Sequence, residues 1–192
     1  MKRLSRHFRL SSPVALVLGL VLGSLLTYGG LRGSGRLTAA LPPHPELLVT
    51  LGQTLDAEHQ RATLLVSRGD IAGAIASLEA LRSTEWPNSA DAGDTVIILR
   101  HDLYGRLLRL RLDHAEIDPR SDSELLALAD EGLGAGFSAE HAPKNAFTAR
   151  LLGMRGELLE RLGRDEEALD AYEAALNINR ELLKDALRQG EK

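Results

Sequence analysis

The 192-residue chain contains no cysteine. That excludes disulfides, thiolate zinc sites and a cysteine nucleophile together. It leaves the compartment open, since a cysteine-free chain suits cytosol and periplasm alike, but it rules out a small disulfide-stapled secreted module. Aromatic residues make up only 4% and runs of Val, Ile and Thr are few, so the residues that favour strands are mostly missing. Chemical signatures are absent too: there is no P-loop, Rossmann glycine pattern, HExxH or G-x-S-x-G elbow. A basic stripe with interleaved aromatics is also lacking, which argues against nucleic acid as a partner.

What is present points to helices. Hydrophobic residues make up 44% and charged residues 26%, which fits a folded domain rich in the helix formers Ala, Leu, Glu and Arg. The net charge of −4 hides an asymmetry. Residues 1–40 hold six bases (Lys2, Arg3, Arg6, Arg9, Arg32, Arg36) and no acid; taking six from 23 leaves 17 bases against 27 acids, or −10, over 41–192. So acidic a surface repels phosphate backbones and keeps the domain dispersed.

Between Arg9 and Arg32 lie 22 uncharged residues, with VALVLGLVLGSLL at 14–26. At about 1.5 Å per residue a helix over 10–31 crosses a hydrocarbon core of about 30 Å. The run is longer than a signal-peptide core, and the neatest small-residue cleavage site, Thr38-Ala39-Ala40, lies well beyond it. The expectation is therefore an uncleaved transmembrane signal anchor, with a cleaved signal and a secreted or periplasmic product as the alternative. Four bases precede the span and two follow, which keeps residues 1–9 cytoplasmic and places the rest outside the inner membrane. Gly19-x-x-x-Gly23 matches the spacing of close helix pairs in membranes. Residues 32–45, dense in Gly and Pro, read as a linker, and 46–192 as a helical domain.

Within that domain apolar residues recur at helical period in six segments, about 46–68, 70–83, 93–115, 122–133, 144–162 and 165–188. Gly69-Asp70 parts the first two, with Asp70 placed to cap the second. The third carries Leu99, Leu103, Leu107 and Leu110 on one stripe, with Arg100, Arg106, Arg109 and Arg111 at solvent positions. Ser121-Asp122-Ser123-Glu124 forms a capping box for the fourth, which the Gly-rich stretch 132–143 ends. Antiparallel pairing of six such helices makes three hairpins.

The last hairpin reads ARLLGMRGELLERLGRDEEALDAYEAAL over 149–176. It resembles a tetratricopeptide repeat: Gly156 at the close helix contact, Gly163 at the turn, then Ala168, Tyr172 and Ala175 inward on the second helix, with Tyr172 filling the groove toward a neighbouring repeat. The first hairpin fits loosely through Ala62, Leu65, Gly69, Ala74, Leu78 and Pro87, with Leu81 in place of a small residue and Glu58 at an aromatic position. The middle hairpin fits worst, because its turn over 113–122 is long and has no glycine. The fold class implied is all-α, a short array of stacked tetratricopeptide-like hairpins behind one transmembrane helix.

Isolated candidates for chemistry carry little. His101-Asp102 and Asp113-His114 sit at opposite ends of the third helix, over about 15 Å apart along the axis, and cannot share a metal. Asp113, His114, Glu116 and Asp118 read as a hydrated turn, and Arg68-Gly69-Asp70 as a helix boundary. Trp86 reads first as a core plug, with a place in a binding pocket as the alternative. In the family resembled, partners lie along the face formed by the first helix of each pair; carried onto the good repeat, that face presents Arg150, Gly153, Glu157, Glu160 and Arg161. These lack the Lys and Asn set with which family members clamp a peptide carboxylate, which disfavours a chaperone tail. The resemblance thus implies a non-enzymatic, membrane-anchored protein-interaction module, a scaffold or adaptor in a cell-envelope complex, with protein partners near the membrane and no cofactor, metal, nucleic acid or small-molecule substrate. The alternative is an assembly subunit of a larger membrane complex in which the span itself packs.

Overall fold

The computed structural model describes residues 45–87 and 93–190. The basic segment 1–9, the anchor over 10–31 and the 32–45 linker except Pro45 lie outside the described residues. Among the described residues no helix is long and apolar enough to cross a membrane.

Those residues form six α-helices and one short 3-10 turn, with no strand. Helix α1 (Pro45–Ser67) opens on a proline, whose missing N–H is harmless at the first helical position. It folds back on α2 (Ile71–Arg82) through a turn in which Gly69, at φ +79°, takes the left-handed conformation that a Cβ disfavours. There Asp70 N–H donates to the Leu65 carbonyl at 2.9 Å, and the Asp70 carboxylate accepts from Gly73 N–H at 2.9 Å. The turn between α5 (Ala146–Arg161) and α6 (Asp165–Gly190) repeats this chemistry: Gly163 has φ +70° and Arg164 N–H donates to the Leu159 carbonyl at 2.9 Å. First and last hairpins therefore share one turn, as the repeat pattern requires.

The middle hairpin is built differently. Helix α3 (Asp94–Asp113) reaches α4 (Asp122–Leu133) through a long turn without a left-handed residue. The expected capping box starts α4, with Ser121 N–H donating to Glu124 at 2.9 Å and Glu124 N–H to the Ser121 hydroxyl at 3.3 Å. Arg111, expected in solvent, is instead buried: its guanidinium meets Glu79 of α2 at 2.6 Å and Asp118 of the turn at 2.9 Å. One side chain thereby ties the long turn to the preceding hairpin. The leucine stripe of α3 was only part of its core face, since Leu108 is as fully buried as Leu103 and Leu107.

Stacking follows the order of the chain. Helix α3 packs on both α1 and α2, and α5 on both α3 and α4. A continuous core runs through all three hairpins, with Leu103, Leu107, Leu108, Leu151, Leu158 and Leu159 wholly buried. Each contributes about 2 kcal/mol of hydrophobic stabilisation, so the hairpins hold one another rather than standing alone. Trp86 is half-buried against this core, and its indole N–H donates to the Leu81 carbonyl at 3.3 Å.

Two glycines admit tyrosine rings. A Cβ on Gly156 would stand 2.7 Å from the Tyr172 ring, and one on Gly132 would stand 2.7 Å from Tyr104. The Gly156 contact agrees with the repeat pattern. Tyr172, however, fills the space within its own hairpin rather than a groove toward a neighbour, and it keeps 36% of its surface exposed.

Candidate functional site

The first helices of the three hairpins border one groove, with a volume of about 600 Å³. Its floor is apolar: Ala62 from α1 and Leu78 from α2 are buried, and Val66 and Leu110 are half-buried beside them. Gly105 of α3 keeps the floor low, having no side chain to fill it. The rim is cationic, because Arg106 and Arg109 of α3 and Arg150 of α5 converge on it. Arg106 and Arg109 come together because positions three apart lie on one helix face.

Their local partners hold them loosely. Arg109 lies 3.7 Å from Asp113 and Arg106 lies 3.5 Å from Asp102, each one helical turn away. The Arg109–Asp113 pair, half exposed on both sides, contributes little, and a carboxylate from elsewhere competes readily for that guanidinium, whereas the Arg106 partner Asp102 is only 11% exposed. Arg150 has no acidic partner among the described residues; it leans over the Phe147 ring at 6.0 Å. Beneath the rim, the buried His59 brings Nδ1 to 3.4 Å from Asp102, while its Nε2 has no hydrogen-bond partner. Burial, followed by the Arg106 charge, pushes the His59 pKa down, against the opposing pull of Asp102 and Asp56. The groove therefore presents three arginines, Arg109 with an exposed partner, Arg106 with a sheltered one and Arg150 with none, above an apolar bed, on a domain whose net charge is −10 over 41–192.

The five residues expected to face a partner separate. Arg150 joins the groove. Gly153 is half-buried with open space before it. Glu157 and Arg161 pair with each other at 2.5 Å, and Arg161 also lies 3.7 Å from Asp122 of α4. Glu160 accepts the Tyr172 hydroxyl at 2.9 Å. Those last three spend their charge inside the chain. Sequence reasoning missed Arg106, Arg109 and His59, because the arginines of α3 read as a solvated face and the helix-to-helix convergence has no local signal.

Other polar clusters are structural. Nδ1 of the wholly buried His101 and the Thr148 hydroxyl share a hydrogen bond of 2.8 Å, and Thr148 also accepts from Asn145, the N-cap of α5, at 2.8 Å. His114 lies 3.5 Å from Glu116 in the long turn, where Asp118 is taken by Arg111 and Arg120. Among the described residues no group of three or more His, Asp and Glu could hold a metal ion. A second cavity, of about 580 Å³, is walled mainly by the loops around Trp86 and Phe137 rather than by convergent charged groups.

The fold and the groove define an all-helical, tetratricopeptide-like protein. The family described as tetratricopeptide repeat matches residues 149–182, the span of most of α5 and α6. Such repeats are typically non-catalytic interaction domains, so the match implies protein partners. No curated protein and no solved structure matches the chain.

Proposed function

We propose that the protein is a membrane-anchored scaffold or adaptor of the cell envelope that docks a protein partner in the groove between α1, α3 and α5. The observation that carries this reading is the cationic rim over an apolar floor on an otherwise acidic domain. A complementary occupant is a segment with an apolar side chain for the Ala62–Leu78 floor and carboxylates for Arg106, Arg109 and Arg150. Neighbours on α5, the half-buried Gly153 and Glu157 and the exposed Glu160 and Arg161, would extend the contact once a partner competes for their intrachain pairs. Residues 10–31 would serve as the tether, raising the domain's local concentration beside membrane-bound partners so that modest affinity suffices.

A second reading makes the chain an assembly subunit whose span packs within a larger membrane complex, and the Gly19-x-x-x-Gly23 spacing favours it. Affinity capture from gently crosslinked membranes separates the two. Full-length protein is run beside a form lacking residues 1–40 and exported by a cleavable signal. Recovery of the same partner with both supports the groove; recovery with the full-length form alone supports the packing span.

A further inference from the structure

Helix α6 carries a face that the hairpins leave uncovered. Its core side is Ala168, Ala171, Ala175 and Ile178, all buried. Elsewhere around the helix Leu169, Tyr172, Leu176, Leu183 and Leu187 are each between 36% and 66% exposed. Their steps of three, four and seven residues set them on one stripe roughly 60° wide, and Arg180 falls at its edge in the gap between Leu176 and Leu183. So long a stripe on one helix is a pairing surface rather than scattered surface leucine.

Charge beside the stripe says what covers it. On one flank the first half of α6 presents Glu166, Asp170 and Glu173, and the second half Arg180, Lys184 and Arg188. Arg188 lies 3.7 Å from Asp185, but Glu166, Asp170, Glu173 and Arg180 have no ion-pair partner among the described residues. The helix macrodipole accounts for acids in the first turn and bases in the last; its influence fades before Glu173 and Arg180. Like charges stacked a turn apart are mildly unfavourable within a lone helix. The same arrangement becomes favourable against a helix that runs the opposite way with the same sequence.

We infer that α6 pairs with α6 of a second copy of this chain, antiparallel, about a two-fold axis that crosses the exposed stripe at the level of residue 178. In that register Leu169 of one copy lies opposite Leu187 of the other and Tyr172 opposite Leu183. The acidic half of each helix then runs along the basic half of its mate. A parallel pair would set acid on acid and base on base. The contact is isologous and closes after two chains.

Because the chain has no cysteine, single introduced cysteines test the pairing cleanly in the full-length protein held in mild detergent, using a short bismaleimide. Leu176→Cys, close to the axis, crosslinks to itself. Leu169→Cys does not, since two copies of that position stand about 27 Å apart along the helices, but it crosslinks when mixed with Leu187→Cys. Adding Glu173→Arg to Leu176→Cys cuts the yield several-fold, and Arg180→Glu in the same chain restores it. Self-crosslinking of Leu169→Cys as strong as that of Leu176→Cys would mean a parallel pair and overturn the inference. Absence of crosslinks at all three positions overturns it as well, whatever the oligomeric state produced elsewhere in the chain.

Discussion

The ring of Tyr172 lies on Gly156 so closely that a Cβ at that glycine would stand 2.7 Å from Cε1. This contact sets how near α5 and α6 approach, and the middle hairpin reuses it in reverse, with Tyr104 on the first helix and Gly132 on the second. Both hydroxyls reach a glutamate, Tyr172 to Glu160 at 2.9 Å and Tyr104 to Glu131 at 2.6 Å.

The two glycines differ in what an added methyl would displace. At Gly156 the clash is with the rim of a ring that is 36% exposed and can swing outward. At Gly132 it is with Tyr104 Cβ and Cγ, and that side chain is buried. Alanine also improves helix propensity by up to about 1 kcal/mol, which offsets part of the overpacking cost. Gly132→Ala is therefore expected to lose about 2 kcal/mol and Gly156→Ala less than half of that, measured by urea unfolding. Equal losses would show that Tyr172 is as fixed as Tyr104.

Burial pushes the His101 pKa down to about 4, with the Arg100 charge acting the same way and the Leu133 carbonyl opposing. The folded value lies below the unfolded one of about 6.5, so the folded state prefers neutral imidazole. Its contribution is present in full above pH 6.5 and is lost as pH falls toward 4, amounting to at most roughly 3 kcal/mol. His59, also lowered, adds in the same direction. Stability measured from pH 7 to pH 4 should fall more steeply for the native chain than for His101→Met; parallel curves would remove His101 from the account.

Arg111 bridges Glu79 and Asp118, whose side chains are each about a quarter exposed. That exposure, with Arg82 still paired to Glu79 and Arg120 to Asp118, holds the cost of Arg111→Ala to about 2 kcal/mol, below that of a sealed ion pair. Arg111→Lys should recover little, because one ammonium cannot span both carboxylates as the guanidinium fork does. Full stability of the lysine variant by thermal melt would mean that the pairing contributes only charge.

Local signals made most of the fold legible. The helix ends at Asp70, Ser121 and Gly163 follow from capping chemistry written within four residues, and Gly156 with Ala168 and Tyr172 carried the repeat resemblance. Arg111 was misjudged because its partners lie on another helix and in a long turn, which no helical period records. The Tyr104–Gly132 contact was overlooked for the same reason, being the repeat's own device with its two halves exchanged. Of the site, only Arg150 was foreseen. The groove exists because α1 and α3 meet at a distance in sequence, so His59 and Arg106 have no shared pattern to find.

In the proposed reading the arginine-rimmed groove recognises the partner. Its most direct test is quantitative capture from crosslinked membranes with the full-length chain and with Arg106→Glu, Arg109→Glu and Arg150→Glu combined. All three side chains sit on the rim outside the core, so the variant should keep its helical content and melting behaviour. Recovery of the partner held by the native chain should fall at least ten-fold with the variant; undiminished recovery by a folded variant would show that the groove is not the docking site.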